Sequence, residues 1–205
     1  MTDSIIDKND DKSFSYTKHS KVKRGKKRAS YEKQPIYHLI DDLKLGHIGF
    51  SSNGRPVVIP MTIWRVDDFI YFHVPNNSRL HKLLEAGNEV AISLAECTEW
   101  VMAKSAYNHS ANYRSAVLYC TGSKVSNDKE FDQVFEVLTE QLEEGRWQQL
   151  RMPNMKERKG TSLMKLQINE ASFKSRTGGP NDEPEDLDLP VWSGTLDVCP
   201  FHKNQ

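Results

Sequence analysis

The order of the strand-like segments constrains the fold of this chain more than any other feature. The segments HIGFSS, RPVVIPMTIW and FIYFHV follow one another with turn residues between them, and all are rich in β-branched and aromatic side chains. Similar segments lie at about 89–96, 99–106 and 113–125, and SLMKLQIN and ASFKSR follow after residue 160. Because strands mostly follow strands, the sequence favours an antiparallel barrel over a doubly wound parallel sheet.

Helical patterns flank these strands. Apolar residues at i, i+3, i+4 and i+7 predict a helix that begins near Ser30 and ends near Gly46. Two further helices are predicted over about 78–86 and 127–146, with Ser78 and Asn127 as N-caps. The expected fold is therefore mainly β (α+β), with seven or eight strands and few helices.

Composition excludes several classes of protein. A chain of 205 residues has the length of one domain, and no apolar run approaches the roughly 18 residues of a membrane span. The polar first residues lack the apolar region of a signal peptide. Three cysteines without a C-x-x-C pair indicate free thiols, not a disulfide framework or a zinc site. We expect a cytoplasmic protein without a membrane partner or bound metal.

Charge is unevenly distributed although 28 basic and 28 acidic residues balance. Residues 18–33 carry eight basic side chains and one acidic side chain, so the rest of the chain is acidic. An acidic body argues against a broad nucleic-acid-binding face. Nucleic-acid binding or nuclear import through the basic run 21–28 is the alternative. We predict a disordered basic arm (1–28), a barrel domain (29–176) and an extended tail (177–205).

The first of three candidate site clusters lies in RPVVIPMT, residues 55–62. Pro60 removes a hydrogen-bond donor from a predicted strand, which indicates an edge or a bulge. An edge backbone can turn its remaining N–H and C=O groups to a ligand. A kinked edge strand without any ligand is the alternative.

The second cluster joins the end of a predicted strand to the start of a helix. His73 closes the strand, and Ser78 and Arg79 open the helix. A hydroxyl and a guanidinium at a helix start are typical of a phosphate site. The alternatives are a simple helix cap, a solvated arginine and a structural histidine.

The third cluster, residues 105–115, concentrates polar groups before a strand and includes Ser110, Asn112 and Tyr113. Burying so many polar groups is costly unless a partner satisfies them. The pattern therefore favours a ligand contact, with an exposed polar turn as the alternative. Together the three clusters indicate a site for a phosphate and a flat polar ring.

From Tyr31 to Arg176 the sequence resembles the FMN-binding split-barrel proteins related to pyridoxamine 5′-phosphate oxidase, and among them the nitroimidazole-resistance (Nim-type) flavin-binding proteins. The matching segments are RASYEKQPIY, GHIGF, RPVVIPM, IYFHV with SRL, HSANYRSAV with Gly122, and SFKSRTGGP. The resemblance implies a six-stranded antiparallel split β-barrel with flanking helices, and a homodimer with FMN at its interface. Val74 stands where Nim-type relatives commonly carry glycine.

The resemblance also implies roles for single residues. The implied flavin-binding residues are Pro60, Met61, Thr62, His73, Ser78, Arg79, Ser110, Asn112, Tyr113 and Trp192. The first three would line the ring edge, and Ser78 and Arg79 would hold the phosphate beside the third cluster. His73 would lie at the reactive ring face as the catalytic proton donor or acceptor. Trp192 would close over the flavin from the tail.

These features predict a small FMN-dependent oxidoreductase that acts on a small, for example nitro- or quinone-like, molecule. A non-catalytic split-barrel protein that stores flavin or binds haem is the alternative. In the haem case the candidate axial ligands are His47, His73, His81 and His109.

Overall fold

The computed structural model describes residues 12–198 of the chain. The strands are β1 (Ala29–Ser30), β2 (Leu45–Ser52), β3 (Arg55–Thr62), β4 (Trp64–Val66), β5 (Phe69–Pro75), β6 (Val90–Met102), β7 (Ser110–Lys124), β8 (Thr161–Arg176) and β9 (Gly194–Asp197). The α-helices are α1 (Lys33–Leu43), α2 (Arg79–Glu85), α3 (Asp128–Leu142) and α4 (Met155–Gly160). Within this range no helix has the length and apolarity needed to cross a membrane.

The strands form one antiparallel sheet whose main path is β3-β2-β6-β7-β8-β5-β4. Its two outermost strands, β3 and β4, are separated in sequence by Ile63 alone. The sheet must therefore roll until its two edges meet. With β3 and β4 counted as one bent strand, the path has the six strands of a split barrel, and β1 and β9 add short pairs to β8 and β6. The predicted fold class is confirmed.

The main hydrophobic core fills the barrel. Along β2 every second residue is buried, so that Ile48 and Phe50 point inward. The helices α1 and α2 add Ile36, Leu39 and Leu80 to the same core. Each such side chain contributes about 1.5–3 kcal/mol when fully buried, so both helices are held on the barrel by their apolar faces.

A second hydrophobic cluster lies between α3 and the strands β4, β5 and β8. The strands contribute the buried side chains of Trp64, Tyr71 and Leu163, and α3 contributes Phe131 and Val134. This helix thus covers a face of the sheet that the main core does not use.

Some element boundaries differ from those predicted from the sequence. The helix α1 ends at Lys44, which adopts a left-handed conformation with φ 49°, so Gly46 lies inside β2. Ser30 belongs to β1 and does not cap the helix. Ser78 and Asn127 cap α2 and α3 as predicted, since each side chain accepts backbone N–H groups of its helix.

Two pairs of predicted strands are single long strands. The segments 89–96 and 99–106 are combined in β6, which runs only to Met102, and the last two predicted strands are combined in β8. A register shift between Cys97 and Glu99 lets β6 continue, because a bulge bends a strand without ending its pairing.

The sequence predicts a disordered arm over residues 1–28, but the structure places residues 12–28 against the domain. Phe14 is buried in the main core. The hydroxyls of Thr17 and Ser20 donate hydrogen bonds to the Glu170 carboxylate on β8. Regular structure here is limited to a 3-10 turn, Lys26–Arg28, and an isolated bridge, so the lack of periodicity reflects irregular backbone and not missing contacts. Residues 1–11 of the arm lie outside the described residues.

The tail also returns to the sheet. The ammonium of Lys104 donates to the carbonyl oxygens of Leu189 at 2.6 Å and Val191 at 3.0 Å. The Lys104 backbone N–H donates to the Asp182 carboxylate at 2.7 Å. The predicted extended tail contains one short strand, because β9 forms beyond Pro190 and pairs with β6.

Candidate functional site at the seam of the barrel

The strand β3 is an edge strand, as Pro60 predicts. It pairs with β2 only, and Pro60 faces His47 across the pair. The side chains of Pro60 and Thr62 are exposed, while Met61 packs on the barrel core. This edge therefore presents backbone groups and the Thr62 hydroxyl at the surface of the barrel.

The first and second clusters meet where the barrel is split. On the far side of Ile63, Trp64 pairs with Tyr71. The ring of Trp64 also meets the ring of His73, with centroids 6.3 Å apart. We call the junction formed by residues 60–64 and His73 the seam.

His73 is exposed at residue level, but its ring lies between aromatic neighbours. It stacks on Phe135 of α3 with centroids 6.3 Å apart and planes at 6°, and meets the Trp64 ring edge-on at 6.3 Å. This desolvation lowers the pKa of the His73 imidazole below its ordinary value of 6.5. At neutral pH the ring is uncharged, with a nitrogen lone pair to accept a proton or bind a metal ion.

The Trp64 indole at the seam is 1% exposed, and its Nε1–H lacks a hydrogen-bond partner within residues 12–198. Buried polar groups are nearly always satisfied. At the seam, beside His73, the Trp64 N–H is thus a buried donor without a hydrogen-bond acceptor.

Ser78 and Arg79 begin α2 a few residues beyond His73. The Ser78 hydroxyl oxygen accepts the His81 N–H at 3.2 Å, so its own proton is free to be donated. Arg79 is exposed and forms no ion pair among the residues of the described range. A guanidinium and a hydroxyl side by side are thus available to an anion.

The third cluster is built differently. Asn112 is 2% exposed, and its side-chain amide donates to the Glu99 carboxylate at 2.6 Å and to the Gly178 carbonyl at 3.1 Å. Its amide oxygen accepts a hydrogen bond from Arg176. Asn112 therefore ties β6, β7 and the start of the tail together, and the half-buried Ser110 and Tyr113 lie beside it.

Within one chain the third cluster is far from the seam. His73 pairs with Leu163, whose carbonyl oxygen accepts the N–H of Val125, the residue after β7. Val125 lies twelve residues from Tyr113, or about 40 Å of extended chain. His73 and Val125 are themselves separated by the two strand spacings β5–β8 and β8–β7, or about 10 Å. After subtraction of this distance and an allowance for the coiling of β7, more than roughly 20 Å remains between His73 and Tyr113. The structure therefore does not bring His73 together with the third cluster of the same chain.

Trp192 belongs with the third cluster. It is 58% exposed, and its ring lies against Gly194 at the start of β9. Because β9 pairs with the last residues of β6, Trp192 lies at the end of the barrel that carries Ser110. We call the set Ser110, Asn112, Tyr113, Arg176 and Trp192 the tail junction.

Sequence reasoning missed three residues that shape these two regions. In the sequence, Trp64 and Phe135 have the pattern of ordinary core positions, and Arg176 lies at the end of a predicted strand. Their partners lie far away in sequence, and a local pattern carries no signal for such contacts. The described residues contain no group of three or more His, Cys, Asp or Glu side chains able to hold a metal ion.

The barrel and its seam define the class of split-barrel proteins. Residues 32–175 match the family model described as pyridoxamine 5′-phosphate oxidase. The chain belongs to this family. No curated protein matches it.

Solved structures extend this result. The chain is similar to the flavocytochrome Anf3 from Azotobacter vinelandii, with 32% identity, a TM-score of 0.83 and coverage of 89% of this chain and 85% of that one. It is also similar to an FAD- and haem-binding protein from Mycobacterium smegmatis, with 28% identity, a TM-score of 0.77 and coverage of 83% and 84%. A Bacteroides thetaiotaomicron protein proposed to act in 5-nitroimidazole resistance shares the fold, with 16% identity, a TM-score of 0.60 and coverage of 71% and 85%.

Proposed function

We propose that this protein binds a flavin at the seam and exchanges electrons with a small molecule there. The observation that supports this most directly is that an open strand edge and an uncharged His73 lie at one junction, with an exposed Arg79 at the start of the helix that follows. Family membership and two similar structures whose descriptions name a flavin or a flavocytochrome support the same proposal.

The residues at the seam suit a flavin in chemical type. The edge backbone at Pro60 to Thr62 offers hydrogen-bonding groups to a polar ring edge, and the Ser78 hydroxyl and Arg79 guanidinium offer charge-assisted hydrogen bonds to a phosphate. A bound flavin supplies hydride and single-electron transfer, while the protein supplies position and electrostatics.

His73 acts as the proton carrier in this proposal. Its ring is held by Phe135 and Trp64, so its orientation is fixed before a substrate arrives. Because the lowered pKa keeps a ring nitrogen unprotonated at neutral pH, His73 can accept a proton from a substrate that is being oxidised.

A homodimer completes the site. Since the tail junction lies more than about 20 Å from His73 of its own chain, it can reach a flavin at the seam only from a second copy. The tail junction carries an exposed apolar surface suited to such contact, because Trp100 and Leu196 pair across β6 and β9 with 52% and 47% of their surfaces exposed beside Trp192.

The free thiols support a reducing, cytoplasmic setting. Cys97 is half-buried and Cys120 is fully buried. Burial raises the pKa of the Cys120 thiol, so this residue serves packing and not nucleophilic chemistry.

The proposal is tested by titrating the purified full chain with FMN and FAD and following flavin absorbance and fluorescence. Arg79→Gln should weaken binding by about tenfold, the loss of one charge-assisted contact. Lys82→Gln, an exposed change on the same helix, is the matched control and should leave binding unchanged. Failure of both flavins to bind the unaltered protein contradicts the proposal.

Haem binding is a second candidate function. Both similar structures above 25% identity are described as a flavocytochrome or as binding haem, and His73 offers an uncharged imidazole next to aromatic side chains. Adding haem should produce a Soret band that is lost or shifted in His73→Ala and kept in His109→Ala. An unchanged spectrum in His73→Ala rules out His73 as the axial ligand.

A further inference from the structure

A cavity of about 540 Å³ lies beside the tail junction, which it adjoins at Arg176. Three cations line it: Lys27, Arg28 and Arg176. Its lining hydroxyls belong to Ser30, Ser175 and Thr177, and its one carboxylate belongs to Glu32. The cavity therefore combines an excess of positive charge with hydrogen-bond donors.

The cations in this cavity lack acidic partners. Among residues 12–198 no ion pair forms with Lys27 or Arg28, whereas Arg65, Arg114 and Arg158 each bind a carboxylate. Arg176 donates only to neutral oxygens of an amide and two carbonyls. Three like charges held together are mutually repulsive, and an anion in the cavity would relieve that repulsion.

The basic run is held in place at this point. Lys27 and Arg28 lie in a 3-10 turn that follows Gly25, whose φ of 66° suits glycine. The next two residues form β1, which pairs with β8 at Lys174 and Phe173. The backbone thus fixes the two cations over the cavity, which preorganises them for a ligand.

We propose that this cavity binds the diphosphate group of a nucleotide. Arginine and lysine with flanking hydroxyls recognise phosphate oxygens, and two adjacent phosphates match the excess of two positive charges that three cations and one carboxylate leave. The diphosphate can belong to a flavin dinucleotide whose ring lies at the seam of a second copy, an arm that rests on the proposed function, or to a free nucleotide. A concave cavity of this size in an otherwise acidic body suits a small anion better than a nucleic-acid duplex.

The test uses the full chain and the double substitution Lys27→Gln with Arg28→Gln. The matched control is Lys129→Gln with Lys156→Gln, two exposed lysines on α3 and α4. ADP, FMN and FAD are titrated calorimetrically into each protein, and circular dichroism verifies the fold. We expect the cavity variant to bind ADP and FAD at least about tenfold more weakly, with FMN affinity unchanged and the control like the unaltered protein.

Separate results identify separate failures. If neither flavin binds the unaltered protein but ADP binds and is lost in the cavity variant, the proposed function fails and the cavity remains a nucleotide site. If ADP and FAD bind equally well to the variant, or if ADP does not bind the unaltered protein, the cavity proposal is wrong. Salt-sensitive binding of a DNA duplex without ADP binding also overturns it and favours nucleic acid.

Discussion

The seam and the tail junction contain the same kinds of polar side chains but use them in opposite ways. At the seam the groups are left open, since His73 is uncharged, the Trp64 N–H is unpartnered and Arg79 forms no ion pair within the described range. At the tail junction the Asn112 side chain forms hydrogen bonds with three protein groups, and the Arg176 guanidinium donates hydrogen bonds to three oxygens.

This difference separates ligand chemistry from structural chemistry. A polar group that is satisfied by the protein stabilises the fold, whereas a polar group without a protein partner is hydrated where it is exposed and costs free energy where it is buried. Asn112 is therefore a residue that supports the fold, and the exposed groups His73 and Arg79 stay accessible to a ligand. The cationic cavity beside the tail junction is the one part of that end with the same open character.

The strongest challenge to this comparison is Trp64→Ala. Trp64 is 1% exposed and joins β4 to α3 through Phe135, so its loss leaves a large cavity under the helix. We expect a loss of about 3–5 kcal/mol in the free energy of unfolding, measured by urea denaturation. Trp100→Ala, at a position that is 52% exposed, is the control and should cost far less in the monomer. Equal losses for both would contradict the assignment of Trp64 to the support of the seam.

Asn112→Ala tests the structural role at the tail junction. The substitution leaves the partly buried Glu99 carboxylate and the Arg176 guanidinium without their amide partner, which should cost about 2–3 kcal/mol in unfolding free energy. Ser110→Ala, two residues away on β7, is the control and should leave the unfolding free energy almost unchanged. If Asn112→Ala keeps full stability but loses flavin binding, Asn112 is a ligand residue and the comparison is reversed.

Lys104→Met examines how the tail is anchored. The change removes two charge-assisted hydrogen bonds to the Leu189 and Val191 carbonyls while keeping the length of the side chain. Amide hydrogen exchange of β9 should accelerate by about tenfold, with the exchange of barrel amides unchanged. Equal exchange rates of the β9 amides in the variant and in the unaltered protein would mean that the pairing of β9 with β6 alone holds the tail.

The smallest effect is a pH dependence at the seam. Because the folded-state pKa of His73 lies below 6.5, the unfolded chain binds more protons as the pH falls below 6.5. His73 should therefore reduce stability progressively from about pH 6.5 down through its lowered pKa. This is checked by measuring the unfolding free energy of the unaltered protein and of His73→Gln in urea between pH 8 and pH 5. If the two free energies change in parallel with pH, His73 is not desolvated in the folded state.

Local pattern predicted those parts of the molecule that depend on neighbours in sequence. Pro60 indicated an edge strand and Ser78 a helix cap, and both are found, whereas the strand predicted to close at His73 runs on to Pro75. The roles of Asn112 and Phe14 could not be read in this way. Asn112 is fixed by Arg176, 64 residues away, and Phe14 is buried by a core assembled from distant elements.

The meeting of the first two clusters also exceeds what periodicity can show. Turn residues at 67–68 indicate that the chain reverses, but not that the strands before and after Ile63 belong to opposite edges of the sheet. Conversely, the sequence patterns joined all three clusters into one site, but within one chain the third cluster and His73 lie apart. Distance along β7 separates them.

The single residue between β3 and β4 also limits how the barrel can open. The Cα atoms of Thr62 and Trp64 can be no more than about 7 Å apart, whatever the rest of the barrel does. The two edge strands therefore stay close together at Ile63, which acts as a hinge. The split between them can widen only toward their other ends, at Arg55 of β3 and Val66 of β4. In the function proposed above, the edge of a flavin ring at the seam would lie at this narrow end of the split, beside Trp64 and His73.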